Sequence, residues 1–246
     1  MKLIKNLIVL ALSIVVFSAC NNDDSSIAET SKVKVAIKTT PASLKSMEST
    51  TEPLLLETFN ICIGEIEFDI NDDMEDVLPE GSPTFSDVEL EGPFLVDLLA
   101  ANAETGIDLA SVHVPNAVYE EIEFEFEPYD ENEPAEMSGN TIVATGTNNG
   151  TPFTIISQEE LEVELEYENG YKLDGADSRL FIDLNLGHLK TLVAAIDFTT
   201  ATLEEDGSIL ITKEKNEPIL KQFEEAVENS FDLEEDDDDA NHGDDD

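Results

Sequence analysis

Val118-Tyr119-Glu120-Glu121-Ile122-Glu123-Phe124-Glu125-Phe126 is the stretch that decides the fold class. Val118, Ile122, Phe124 and Phe126 alternate in it with Tyr119 and three glutamates, a period typical of a strand with one face in a core. The same period recurs in residues 33–37 and 161–167. Further strands are predicted at residues 141–145, 152–157, 179–186, 201–204 and 208–212, the last two as a hairpin. The pattern predicts a mainly β protein, an antiparallel β-sandwich over residues 32–215.

The C-terminal part of the chain departs from this period. Residues 94–103 and 189–196 are compatible with short helices or with turns, and periodicity does not decide between them. Pro218 at a helix start, followed by one apolar stripe, predicts an amphipathic helix over residues 216–231. Ten of the fifteen residues 232–246 are acidic, so we expect a disordered acidic tail there.

The first twenty residues have the pattern of a targeting segment. Two lysines precede an apolar run over residues 7–17, which is too short to span a bilayer core of ~30 Å as a helix. The run ends in Phe17-Ser18-Ala19-Cys20, which resembles a bacterial lipobox. We predict a lipoprotein signal peptide at residues 1–19, lipidation of Cys20 and a flexible tether over residues 20–31. The alternative is an ordinary secretory signal with an incidental cysteine.

The start of the tether also bears on where the protein is located in the cell. Asn21-Asn22-Asp23-Asp24 resembles the acidic export signal that follows the lipidated cysteine in Bacteroidota-type outer-membrane lipoproteins. The alternative is plain solvation of a linker by its acidic residues. The expected location is the outer membrane, held by the lipid anchor, on its periplasmic face or at the cell surface.

The charge balance excludes nucleic acid as a partner. The chain has 57 acidic and 12 basic residues, a formal net charge of −45, and residues 46–171 contain no Lys or Arg with which to bind phosphates. Glutamate rows on neighbouring strands repel one another unless salt screens them or a lysine strand lies beside them. The first strand, with Lys32, Lys34 and Lys38, is the predicted neighbour.

Several segments together resemble a known family. They are the lipid-anchored start, the strand over residues 33–37, Phe94-Leu95-Val96-Asp97-Leu98-Leu99, residues 112–122 and Phe181-Ile182-Asp183-Leu184. From residue 32 to residue 219 the chain resembles the bacterial lipoprotein family called domain of unknown function 4382. The resemblance implies a location in the cell envelope and a fold shared with that family. Since the family has no established activity, it implies no catalytic residue.

A search for catalytic motifs yields no nucleophile. The chain has no Gly-x-Ser-x-Gly elbow, no glycine-rich phosphate loop and no His-Glu-x-x-His pair. Cys62 is predicted to be a small buried residue on the face of Ile66, Phe68 and Ile70. It is expected to be inert, because no basic residue is near it in sequence.

Hard-cation binding is the chemistry that the composition favours. Residues 69–80 place Asp69, Asn71, Asp73 and Glu80 at positions 1, 3, 5 and 12 of a calcium loop. The sixth position needs Gly and holds Met74, so a solvated acidic loop is the alternative. No motif requires a cofactor. Divalent cations, calcium among them, are expected to bind weakly and collectively.

Two functions stay open. The first is a lipid-anchored, non-catalytic cell-envelope protein with a binding or structural role, which displays residues 69–92 and 127–150 as loops to a glycan, a protein or a cation. The second is a carboxylate-dependent hydrolase such as a glycosidase, which needs only two carboxylates. A buried, closely spaced acid pair in a cleft favours the hydrolase, whereas a flat acidic surface favours the binding protein.

Overall fold

A computed structural model describes residues 30–40, 54–70, 88–175 and 177–235. The predicted signal peptide, Cys20 and most of the tether lie outside the described residues. So do residues 236–246 of the predicted tail and three of the four calcium-loop candidates, Asn71, Asp73 and Glu80.

The described residues form eleven strands and two α-helices. The strands are β1 (Thr30–Thr40), β2 (Leu54–Ile70), β3 (Val88–Asp97), β4 (Ile107–Pro115), β5 (Val118–Phe126), β6 (Ile142–Asn148), β7 (Thr151–Ser157), β8 (Leu161–Lys172), β9 (Ser178–Asn185), β10 (Ile209–Ile211) and β11 (Phe231–Glu235). The helices are α1 (Leu186–Ala195) and α2 (Glu217–Glu228). The prediction of a mainly β, sandwich-like protein with a C-terminal amphipathic helix is confirmed.

The strands form two sheets. The smaller has the order β11-β9-β1-β4, and the larger has the order β10-β7-β6-β2-β5-β8, with β3 also paired to β2. Both sheets are mixed: β1 pairs with β9 in parallel and β7 pairs with β10 in parallel, whereas the sequence predicted antiparallel pairing throughout. Strand direction depends on the long connections between these strands, which a period of two residues does not encode.

Of the predicted hairpin over residues 201–212, the turn is confirmed and the paired first strand is not. A tight turn does form, with the Ser208 carbonyl 2.8 Å from the Glu204 amide. Its first arm makes only one isolated bridge, between Leu203 and Ile209, and the second arm joins β7. The reason is burial: Ile209 and Ile211 lie in the core, while Leu203 stays 56% exposed.

One hydrophobic core lies between the two sheets. The smaller sheet contributes Val33 and Val35 from β1, and the larger sheet contributes Phe68 and Phe124. Helix α2 closes the core with its apolar stripe, including Phe223, whose ring packs edge-on against Phe59 at 6.1 Å between centroids. Aromatic pairs of this geometry stabilise a core beyond their buried area by about 0.5–1.5 kcal/mol.

Two β-bulges place side chains on faces that strict alternation does not predict. The register of β2 shifts between Ile63 and Glu65, so Ile63 and Ile66 both reach the core while Cys62 lies on the opposite face, in a second cluster with Tyr129, Met137 and Val143. The predicted shared face of Cys62, Ile66 and Phe68 is therefore wrong.

The second bulge lies in the stretch that decides the fold class. The pairing of β5 with β2 shifts there: one step along β2, from Asp69 to Ile70, matches two steps along β5, from Glu121 to Tyr119. As a result Tyr119 is fully buried in the core instead of lying on the glutamate face, and its hydroxyl donates to the Pro115 carbonyl at 2.8 Å. Its ring meets Phe68 edge-on at 6.0 Å between centroids.

The predicted acidic tail begins too early. Asp232 to Glu235 belong to β11, which pairs antiparallel with β9 from Phe231 opposite Leu184 to Glu235 opposite Leu180. Composition indicated disorder because these residues bury little by themselves, but a free sheet edge supplies backbone hydrogen bonds that do not depend on composition.

Candidate functional site

The acidic face is the surface of β3, β2, β5 and β8 that is turned away from the core. Directly opposite residues on paired strands share a face, so the strand registers align the carboxylates in rows. The three rows are Glu91, Glu65, Glu125 and Glu162; Glu89, Glu67, Glu123 and Glu164; and Asp69, Glu121 and Glu166. Carboxylates therefore stand next to carboxylates both across and along the strands.

The closest carboxylate group on this face is formed by Asp69, Glu121 and Glu123. One carboxylate oxygen from each residue lies within 4.8 Å of the others, and all three side chains are half-buried. Oxygens at this spacing are the ligands that a calcium or magnesium ion takes. The group lies on a sheet face and not in a twelve-residue loop.

Three glutamates of the acidic face have pKa values above the ordinary value of a glutamate. Burial, followed by the charges of Glu162 and Glu125, raises the pKa of Glu123 to about 7. Burial, followed by the charge of Glu164, also raises the pKa of Glu121. The pKa of Glu164 rises because it shares a hydrogen bond with Glu162. Ionisation is therefore opposed at Glu121 and Glu123 first by burial and then by neighbouring carboxylates, and at Glu164 by its hydrogen bond with Glu162 and by that residue's charge.

The lysine strand does not lie beside these glutamates, which corrects the sequence prediction. β1 belongs to the smaller sheet, between β9 and β4. There Lys34 forms an ion pair with Asp108 at 2.7 Å, and Arg179 bonds the same carboxylate at 2.8 Å. The acidic face therefore gains no basic neighbour from β1.

Of the four predicted calcium ligands, only Asp69 belongs to the described residues. Asp69 does stand in a carboxylate group, but with Glu121 and Glu123, which the sequence reading did not nominate; its other predicted partners lie outside the described residues. The alternating glutamates of β5 were the available signal. They did not identify a site because the register of β5 against β2 is a tertiary property.

Cys62 lies next to the first row of the acidic face, the row that contains Glu65. It is 1% exposed and borders a cavity of about 320 Å³ with Glu65, Glu127 and Asp130. Burial, followed by the charges of Glu127 and Asp130, raises the pKa of the Cys62 thiol to about 11. The thiol is therefore not a nucleophile near neutral pH, in agreement with the sequence reading.

The predicted display loop over residues 127–150 is mostly not a free loop. Residues 142–148 form β6, and Tyr129 and Met137 pack in the cluster around Cys62. The Tyr129 amide is held by the Asn140 carbonyl at 3.1 Å. This connection is thus tied to the sheet that it leaves.

A buried acid does occur, between α2 and β7. Glu224 is 7% exposed, and the Ser157 hydroxyl donates to its carboxylate at 2.5 Å. A cavity of about 290 Å³ beside it also holds Glu159 and Glu217, which form ion pairs with Lys213 and Lys221. Glu224 thus joins α2 to β7 through Ser157, whereas the pair of Glu217 and Lys221 lies within α2.

Comparison with protein-family models, with curated proteins and with solved structures finds no match to this chain. The resemblance to domain of unknown function 4382 therefore stays a prediction. Neither helix in the described part of the chain has the length and apolar character needed to cross a membrane.

Proposed function

We propose that this protein is a lipid-anchored, non-catalytic component of the cell envelope whose acidic face holds divalent cations collectively. The observation that carries the proposal is the alignment of carboxylates in three rows across four strands. Like charges directly opposite on a sheet destabilise it by roughly 0.2–1 kcal/mol per pair. A divalent cation between two carboxylates converts that repulsion into attraction, so folding and cation binding support each other.

The rival function, a carboxylate-dependent hydrolase, has less support. It needs a free acid and base on either side of a substrate cleft. Glu224, the buried acid, is hydrogen-bonded to Ser157, and Glu159 and Glu217, which line the same cavity, form ion pairs with lysines. The acidic face, in turn, lies on a sheet surface. These contacts favour the binding protein.

The anchor is tested by replacing Cys20. Cys20→Ser is expected to release the protein from membrane fractions into the soluble fraction, because the proposed anchor is the lipid on this cysteine. Immunoblots of fractionated cells measure the distribution, and Cys62→Ser, which leaves the proposed anchor in place, is the control. Retention of the Cys20→Ser protein in the membrane fraction contradicts lipid anchoring.

Cation binding is tested by thermal melts of the chain from Asn21 to Asp246. At equal ionic strength, CaCl₂ and MgCl₂ are expected to raise the free energy of unfolding by similar amounts, and both by more than NaCl, by roughly 1–2 kcal/mol at a concentration about tenfold above the apparent Kd. The double variant Glu121→Gln/Glu123→Gln should lose much of this gain. Glu104→Gln/Glu205→Gln removes two charges elsewhere and is the control.

Two other outcomes of the melts are informative. If calcium stabilises at far lower concentration than magnesium, and Glu121→Gln/Glu123→Gln removes the difference, then the group with Asp69 is a specific calcium site. If the divalent salts act no more strongly than NaCl, the face is only screened, and the proposed cation-binding role is wrong.

A further inference from the structure

A cavity of about 360 Å³ lies between the turn that joins β6 to β7 and the connection from α1 to β10. None of its lining residues belongs to the three carboxylate rows of the acidic face. Its apolar side consists of buried residues, each at most 8% exposed: Leu54, Ile196, Phe198 and Ile209. Small-molecule sites are mostly apolar cavities of ~300–1,000 Å³, so the size suits a ligand of one or two rings.

Leu203 is an apolar residue that remains exposed at this cavity. It lines the cavity and is nevertheless 56% exposed. The Asn216 side chain fixes the neighbouring backbone, because it accepts a hydrogen bond from the Thr202 amide at 2.8 Å and donates one to the Thr202 carbonyl at 3.2 Å. Leu203 is therefore held at the cavity, where a ligand that covers it gains apolar burial without first ordering the segment.

The polar side of the cavity is built on a tight turn. Asn148 pairs with Thr151, and the two residues between them, Asn149 and Gly150, have positive φ angles of 50° and 79°. Two-residue turns of this kind match the twist of their strands, so the backbone is well defined. The Asn149 side-chain amide donates to the Asn148 side-chain oxygen at 2.8 Å, and the Asn148 amide group keeps its own N–H donors for a ligand.

A carboxylate completes the polar side. Asp197 lines the cavity, and its Oδ1 accepts hydrogen bonds from the Thr199 hydroxyl at 2.5 Å and from the Thr199 amide at 3.0 Å. These bonds, that of the hydroxyl first, lower the pKa of Asp197, so the group is ionised at neutral pH. Among the described residues that line the cavity there is no Lys, Arg or His. An anionic ligand therefore meets a negative charge without a compensating cation.

We propose that this cavity binds one ring of a neutral sugar, a hexose or an N-acetylhexosamine. A pyranose ring has a face of C–H groups, which the buried apolar side chains and Leu203 accommodate. Its hydroxyls both donate and accept hydrogen bonds, and Asn148, Thr151 and Asp197 offer donors and acceptors for them. Asp197 repels an acidic sugar. This proposal depends neither on the lipid anchor nor on cations at the acidic face.

Sugar binding is tested by NMR of the ¹⁵N-labelled chain from Asn21 to Asp246 in NaCl without divalent cations. The probes are the methyl glycosides of glucose, galactose, mannose, N-acetylglucosamine and N-acetylgalactosamine. At least one is expected to shift the amide signals of Asn149, Thr199 and Leu203 in a saturable way, with a Kd of roughly 0.1–10 mM. If none of the five does so up to about 50 mM, the proposal is overturned.

Two variants with matched controls locate the binding. Asn148→Ala and Leu203→Ala are each expected to raise the Kd roughly threefold to tenfold, because one loses an amide and the other loses apolar contact. Asn102→Ala, which removes an exposed asparagine without a side-chain cap bond, and Leu55→Ala, which truncates a leucine that is 46% exposed on β2, should leave the Kd unchanged. Binding that survives both cavity variants, or that the controls weaken equally, contradicts a site in this cavity.

An aliphatic amine is the competing ligand, since Asp197 alone attracts a cation. n-Butylammonium is the probe, and it is expected to bind more weakly than the best sugar because it leaves the Asn148 and Asn149 amides without a partner. If it shifts the same signals at lower concentration than every sugar, and about 1 M NaCl abolishes the effect, the cavity is an amine site and the proposal is wrong. Either result leaves the proposed cation binding at the acidic face to its own melts.

Discussion

Deleting residues 231–246 is expected to lower the melting temperature strongly, whereas deleting residues 236–246 leaves it nearly unchanged at physiological salt. The difference is β11, which covers the edge of β9. Phe231 is 8% exposed, and its ring lies 5.4 Å from that of Phe126, so it connects the smaller sheet to the larger one. Removing a buried phenylalanine side chain costs about 3–5 kcal/mol, which shifts the melting temperature of a domain of this size by roughly 6–20 °C.

The point substitution Phe231→Ala separates packing from strand pairing. It should account for most of that loss with β11 still present, as measured by urea unfolding monitored by circular dichroism. Leu203→Ala is the matched control: Leu203 is also a large apolar residue but is 56% exposed, so we expect a change within about 0.5 kcal/mol. If the chain ending at Ser230 melts with the intact protein, β11 contributes nothing to the fold.

β11 is a strand that the sequence did not predict. Residues 121–126 of β5 and 161–166 of β8 alternate strictly, and these strands were predictable because a half-buried strand needs only its own residues to reveal its two faces. In Asp232-Leu233-Glu234-Glu235 the sequence shows charge and no wide apolar face. The segment becomes a strand through the backbone groups of β9, a partner that the sequence does not identify.

The bulges explain why side-chain faces were only partly predictable. In the pairing of β2 with β5, each strand has one extra residue at one place, which reverses the phase of alternation; Cys62 therefore lies outside the main core and Tyr119 inside it. Gly64 beside the first bulge was a visible cue, since glycine inside a strand often marks such a position. At the second bulge Glu120 is an ordinary strand residue and gives no cue.

The acidic face was predictable in composition but not in arrangement. Glutamate rows were expected on the individual strands, and the structure confirms that they exist on β5 and β8. Which carboxylates meet depends on register, which aligns Glu67, Glu123 and Glu164. Lys32 and Lys34, the expected compensating charges, lie in the other sheet because β1 pairs with β4 and β9.

The crowded carboxylates give an unusual dependence of stability on pH. A carboxyl group whose pKa is higher in the folded than in the unfolded state binds more protons when folded, so the free energy of unfolding falls as pH rises through that interval. Burial and neighbouring charge raise the pKa of Glu65, Glu121 and Glu123, the last to about 7. Burial likewise raises the pKa of Glu224 and Glu228 on α2.

The opposite sign holds at the acidic end of the range. The Lys34 ion pair lowers the pKa of Asp108, and hydrogen bonds from Thr199 and Ser208 lower those of Asp197 and Asp206. These groups stabilise the fold above their unfolded pKa, and that stability is lost as pH falls through their folded values. Stability should therefore rise as pH is lowered from about 8 to about 5 and fall again below about 4.

Glu123→Gln is the variant that tests this account. At pH 8 it removes a charge between like-charged rows, each opposed pair of which costs roughly 0.2–1 kcal/mol, so the melting temperature should rise by about 1–4 °C. Near pH 5 the wild-type Glu123 is itself protonated, so the two proteins should melt together and the slope between pH 5 and 8 should flatten. Glu104→Gln, an exposed acid outside the face, should leave the slope as it is. Thermal melts of the three proteins in NaCl alone measure these melting temperatures as a function of pH. A wild-type chain that is more stable at pH 8 than at pH 5 would show that the carboxylates of the acidic face do not repel one another in the folded protein.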